Sequence, residues 1–160
     1  GELARELTAQ VARAALSMVE GHVYDSVEGA RPGRTLEALT AQVDGKTGAL
    51  LTAPLVCGGL LAGLRPLQLG HWRSAGRHLG RLFQMTDDLL DVTASAEVLG
   101  KTPGKDAKQD TFTYVSLLGE EGTRHAARQE GQQFMAAIEA LRIEPGFWQS
   151  LTDFLLLREL

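Results

Sequence analysis

Three aspartates, Asp87, Asp88 and Asp91, stand in "FQMTDDLLDV" (83–92), a run that otherwise reads as buried helix. Carboxylates are costly to bury unless something pairs with them. At about 100° per residue, Gln84, Asp87, Asp88 and Asp91 fall within roughly a third of the helix circumference, with Gly80 in the same arc. Leu79, Leu82, Met85, Leu89 and the methyl of Thr86 take the opposite side. An ordinary solvated face would mix Glu, Lys and Arg, because aspartate is a weak helix former and like charges one turn apart repel. Clustered carboxylate oxygens suit a hard cation such as Mg²⁺, which keeps several waters and joins one or two carboxylates to substrate phosphates. A phosphate also needs positive charge nearby. Lys46, followed by Thr47 and set among Gly45 and Gly48, is one source; Lys101 in "LGKTPGKD", just past the aspartate helix, is another. Carboxylates, a metal and lysines around one cleft make a diphosphate site. His22, His71, His78 and His125 are scattered without ligand spacing, so no zinc is assigned.

Helices must carry these groups. Leu3, Leu7, Val11, Ala14 and Met18 recur at helical spacing in a first helix over about Glu2–Val27. "EGARPGR" (28–34) is a loop rich in Gly and Pro. A second helix starts near Thr35, carries Leu36, Leu39, Val43 and Leu50 on one face, is expected to kink at Pro54, and ends at Pro66. The aspartate helix spans about Leu69–Ala94, and residues 95–110, with Pro103 and three lysines, read as an exposed loop. A short helical turn near Tyr114–Leu118 precedes a helix over about Glu121–Arg142, with Ala127, Gly131, Phe134, Ile138 and Leu141 on its apolar face. A last helix, about Phe147–Glu159, is expected to bury Leu151, Phe154 and Leu155. Nothing alternates with period two over a useful length, so the class is all-α, a helical bundle over 1–160 without a sheet.

Composition agrees. The 160 residues are 44% apolar and only 6% aromatic, enough for one core of closely packed helices. The net charge of −4 and the lack of a basic run disfavour nucleic acid as a partner. No apolar run approaches the roughly 20 residues of a membrane span, so no transmembrane segment is expected. Cys57 is the only cysteine and reads as a buried reduced thiol, which fits a cytoplasmic location. The chain starts at Gly1 rather than Met, so it is expected to be a fragment or a processed product.

Taken together, these segments resemble the C-terminal half of the trans-isoprenyl diphosphate synthases, the polyprenyl synthetase family of farnesyl and geranylgeranyl diphosphate synthases. "GRHLGRLFQMTDDLLDV" is similar to the family's second aspartate-rich motif, and "GKTGALL" (45–51) to its Lys-Thr segment. "LGKTPGKDAKQDTFTYVSLLG" (99–119) resembles the loop and short helix after that motif, and "GHVYDSV" (21–27) a Gly-Gln-x-x-Asp segment. The resemblance implies part of the isoprenoid synthase fold and a Mg²⁺-dependent prenyltransferase. Its substrates would be an allylic diphosphate and isopentenyl diphosphate, its product a trans-polyprenyl diphosphate, and its assembly a homodimer. It implies Asp87, Asp88 and Asp91 as metal ligands, and Lys46 and Lys101 as contacts to the allylic diphosphate. Thr47 and Gln84 would line the reacting centre, with Gln84 beside the diphosphate as well.

The departures are specific. The family's first aspartate-rich motif, and the basic residues for isopentenyl diphosphate, would lie before Gly1, so this chain alone is expected to turn nothing over. His22 stands where Gln is usual, and Thr111 where many members have lysine. The alternative is a non-catalytic subunit with the family fold that pairs with a complete synthase. A pseudoenzyme would have no need of the aspartates, the Phe-Gln pair, Lys46-Thr47 and Lys101. A terpene cyclase on a related fold would not predict the Lys-Thr segment.

Overall fold

Six helices, named in chain order, make up the computed structural model, which describes residues 1–26, 33–99 and 112–158. They are α1 (Glu2–Ser26), α2 (Leu36–Val43), α3 (Ala49–Leu61), α4 (Pro66–Leu99), α5 (Tyr114–Ala140) and α6 (Gly146–Leu157). No strand occurs among the described residues, as the missing period-two pattern required. Lys101, Thr111 and most of the predicted loops at 28–34 and 95–110 lie outside the described residues. The part of the second loop that is described, 95–99, is helical and extends α4.

The second helix departs from its reading. A π-helical turn, Asp44–Gly48, separates α2 from α3, whereas α3 runs as α-helix through Pro54. The irregularity in hydrogen-bond pattern therefore falls on the Lys-Thr segment, and Pro54 does not interrupt α3. Such one-residue expansions of a helix recur at functional sites. Thr35 caps α2 through a hydrogen bond from Ala38 N at 3.2 Å. Pro66 opens α4 instead of merely ending α3, since its missing N–H is not needed in a first turn.

Helix α4 is the centre of the bundle, with α3 and α5 packed on it. The residues predicted for its apolar side, Leu79, Leu82, Met85, Thr86 and Leu89, are all buried. So are Ala127, Gly131, Phe134 and Ile138 of α5, and Leu141, which caps its C-terminal end. In α6, Leu155 is buried but Phe154 is 63% exposed, contrary to expectation, because the helix is covered on one side only. Trp148 locks α6 onto the core by edge-to-face contacts with Trp72 at 5.3 Å and Phe134 at 6.1 Å. Cys57 is half-buried and unbonded.

Glycines set the spacing between α3 and α4. A Cβ on Gly76 would lie 2.5 Å from Thr52 Cα, and one on Gly80 only 2.6 Å from Gly48 Cα. On the far side of the π-turn, a Cβ on Gly21 of α1 would meet Lys46 N at 2.9 Å. The turn that carries Lys46 and Thr47 is thus pressed between two helices at positions where only hydrogen fits.

Candidate functional site

Capping chemistry places the first anchor. Thr113 and Ser116 form a reciprocal capping box at the start of α5, at 3.0 and 3.1 Å. The next N–H, that of Tyr114, is one of the donors every helix start leaves unpaired. It points at α4 and donates to Asp88 Oδ2 at 2.8 Å. The other oxygen of Asp88 accepts from Gln84 Nε2 at 2.9 Å. With its nitrogen drawn to a carboxylate that only accepts, Gln84 turns Oε1 the other way, where Thr47 Oγ1 donates to it at 3.3 Å. The line Thr47–Gln84–Asp88–Tyr114 therefore joins the π-turn, α4 and α5.

Asp88 is only 7% exposed, and burial raises its carboxyl above the ordinary aspartate range. The hydrogen bonds from Gln84 and Tyr114 oppose that shift, while Asp87 and Asp91 add to it. Asp87 and Asp91 lie one turn apart on the exposed side of the same helix. Among the described residues no three acidic, His or Cys side chains converge as a ligand set. The structure thus brings Lys46, Thr47 and Gln84 to one place and leaves Asp87 and Asp91 facing outward beside them. It turns Asp88 inward.

Beside this line lies an apolar cleft of about 600 Å³ between α1, the π-turn, α3 and α4. Met18, Val23, Leu51 and Phe83 line its apolar wall, and Lys46 and Thr47 its polar edge. An apolar chain with a polyanionic head fits that division of the wall.

One neighbour of the aspartates escapes a reading of the sequence. Arg158, just past α6, donates from Nη2 to Thr86 Oγ1 at 3.1 Å and lies 3.7 Å from Asp87 Oδ1. Its guanidinium stacks 4.8 Å over the Phe83 ring, and its buried Nε has no hydrogen-bond partner. The available signal was an arginine in the apolar run "LLLREL", a position that calls for a buried partner. Replacing Arg158 with alanine is expected to lower stability by about 1–2 kcal/mol through the lost hydrogen bond and ring contact. Urea unfolding of the two proteins measures this, and equal midpoints would show that the contact does not anchor the C-terminus.

A family model described as polyprenyl synthetase matches residues 2–142. Dimethylallyltranstransferase of Fischerella ambigua (strain UTEX 1903) is 42% identical over 116 residues, covering 71% of this chain and 33% of that protein. The chloroplastic geranylgeranyl pyrophosphate synthase of Catharanthus roseus is 35% identical over 148 residues, covering 91% of this chain and 40% of that protein. The crystal structure of a putative farnesyl-diphosphate synthase from Marinomonas sp. MED121 superposes with a TM-score of 0.75 at 25% identity, over 97% of this chain and 53% of that one. The chain spans 33–40% of the length of these two curated relatives.

Proposed function

The chain belongs to the polyprenyl synthetase family, and from that premise we propose that it supplies the metal–diphosphate side of a prenyltransferase site. The whole protein condenses an allylic diphosphate with isopentenyl diphosphate to a longer trans-polyprenyl diphosphate, of geranylgeranyl or farnesyl type. The observation that carries this reading is the Thr47–Gln84 pair at the polar edge of an apolar cleft, on the helix that presents Asp87 and Asp91.

The donor set fits Mg²⁺. Two exposed carboxylates one turn apart leave room for the waters and phosphate oxygens this ion prefers. Asp87 and Asp91 would hold it. Asp88, a third candidate ligand, keeps both oxygens on Gln84 and Tyr114 and would act by holding the helix face in place. Bound Mg²⁺ would supply positive charge for a leaving pyrophosphate. Lys46 would contact the same diphosphate, with Lys101 as a second cation.

In the reaction the allylic C–O bond breaks and pyrophosphate takes the electron pair. The double bond of isopentenyl diphosphate then adds to the carbocation, and a proton leaves. Gln84 Oε1 and Thr47 Oγ1 would turn lone pairs toward the reacting centre and stabilise positive charge there without attacking it. The apolar wall excludes water that would otherwise capture the cation. We propose a homodimer on the family resemblance, and a cytoplasmic location on the single reduced Cys57. Among the described residues no helix is long and apolar enough to cross a membrane.

Calorimetry of this chain with Mg²⁺ and pyrophosphate tests the site. Asp87→Ala is expected to weaken binding at least about tenfold, which is 1.4 kcal/mol. Identical binding by both proteins would refute the assignment.

A further inference from the structure

We infer that Arg81 is a positioning residue: it pins the Asp44–Gly48 π-turn in the one register that presents Lys46 and Thr47 to the cleft. The inference rests on the diphosphate reading of that cleft. Arg81 stands on α4 one residue past Gly80, where the π-turn crosses the helix. Its Nε and Nη2 donate to the two oxygens of Asp44 at 2.7 and 2.6 Å. Asp44 is the first residue of the turn. The third nitrogen, Nη1, lies 3.6 Å from Glu130 Oε1, and the other oxygen of Glu130 pairs with His78 Nδ1 at 2.6 Å. Four charged or polar side chains therefore tie the turn to α4 and α5.

A π-turn holds one residue more than an α-helix needs. If that residue moved along the chain, the side chains it passed would rotate by about 100° around the helix. Lys46 or Thr47 would then leave the cleft while the helix stayed largely hydrogen-bonded. An alternative so close in structure requires something that selects between the two registers. The close contacts of Gly21 with Lys46 N and of Gly80 with Gly48 Cα already disfavour a shift, and directional polar contacts add to that selection. The Thr47–Gln84 bond is long, at 3.3 Å. A planar two-pronged contact to Asp44 is specific to one geometry. It is also partly shielded, with the two side chains 23% and 25% exposed. An ion pair in such a place adds little net stability over an apolar pair, but it discriminates between registers. An arginine is charged throughout the ordinary pH range, and the hydrogen bonds to Asp44 push the Arg81 guanidinium further above its usual value. Gly21 and Gly80 bring the backbone of the turn close enough for this contact to form.

The test compares wild type, Arg81→Ala, Arg81→Lys and a remote core variant, Phe134→Leu. Two measurements are made: amide hydrogen exchange resolved over residues 44–48, and calorimetric binding of Mg²⁺-pyrophosphate. Arg81→Ala is expected to speed exchange over 44–48 by about tenfold more than over 36–43, and to weaken binding by about tenfold. Arg81→Lys, which keeps the charge but loses the fork, should recover part of both. Phe134→Leu should lower stability without singling out 44–48. Arg81 is a merely structural residue if Arg81→Ala leaves exchange at 44–48 unchanged, or alters it only as Phe134→Leu does. If wild type binds no Mg²⁺-pyrophosphate, the diphosphate reading fails, and the exchange pattern alone decides the role of Arg81.

Discussion

Replacing Gly80 with alanine is expected to destabilise the chain by about 2–3 kcal/mol and to part α4 from the π-turn. The new Cβ would sit 2.6 Å from Gly48 Cα and 3.0 Å from Gly48 N. Both are backbone atoms, so no side chain can rotate to relieve the overlap. Separating the two helices would stretch the Thr47–Gln84 bond, already 3.3 Å long, and the Arg81–Asp44 contact. Helix propensity works the other way, since alanine is better than glycine in a helix by about 1 kcal/mol. Gly70, on the same helix, isolates that term, because it is exposed and a Cβ there would meet nothing within 4 Å. Gly70→Ala should therefore stabilise by up to about 1 kcal/mol while Gly80→Ala destabilises. Urea unfolding of both variants reads the two signs. A stabilising Gly80→Ala would mean that the α4–π-turn contact is looser than its geometry implies.

Asp88→Ala is the second large effect, expected at about 3 kcal/mol. It leaves the buried Tyr114 N–H without an acceptor, which alone costs about 1–3 kcal/mol, and it opens a gap beside α5. Asp88→Asn should be far milder. Its single carbonyl can accept from Tyr114, and Gln84 can turn its amide over to meet the new NH₂ group. That turn would present Gln84 Nε2 to Thr47 in place of its carbonyl oxygen. Asparagine thus separates the structural role of Asp88 from its effect on Gln84.

The two variants also differ from wild type in pH dependence. Burial raises the Asp88 carboxyl, so the folded chain takes up this proton at a higher pH than the unfolded chain. Its contribution is therefore most favourable below the unfolded value, about pH 4. It declines as pH rises through the raised folded value, then levels off. The stability of wild type relative to Asp88→Asn should fall over that window. A difference that rises with pH would show that the hydrogen bonds to Asp88 outweigh its burial.

Much of the site could be read from residue order. The stripe Gln84, Asp87, Asp91 follows from helical periodicity alone, and the break between "TYVSLLG" and the longer part of α5 occurs at Gly119, whose φ of 71° suits glycine. Lys46 and Thr47 stood out by their small neighbours, and those glycines do lie where backbones approach. Pro54 is a visible local signal of irregularity, whereas the π-turn at Asp44–Gly48 has none in the order of residues. It is stabilised by Arg81, Gly80 and Gln84, more than 30 residues away in the chain. Spacing places Phe154 in the core, yet whether a helix is covered on one side or two depends on its neighbours.

Residue order alone specifies where most of the helices run, the apolar side of α4 and the angular position of each aspartate. These depend on contacts three or four residues apart, which the order of residues specifies directly. Asp87 and Asp88 differ by about 100° on the helix, so one of them must lie at the edge of the stripe. What that edge faces depends on how the helices pack. The N-terminus of α5 arrives there with an unpaired N–H and draws Asp88 inward. Arg158 arrives from 71 residues beyond Asp87, and Asp44 meets Arg81 across 37. The energies of such meetings come from charge and hydrogen bonding between groups that share no local pattern, so they exist only once the helices are packed.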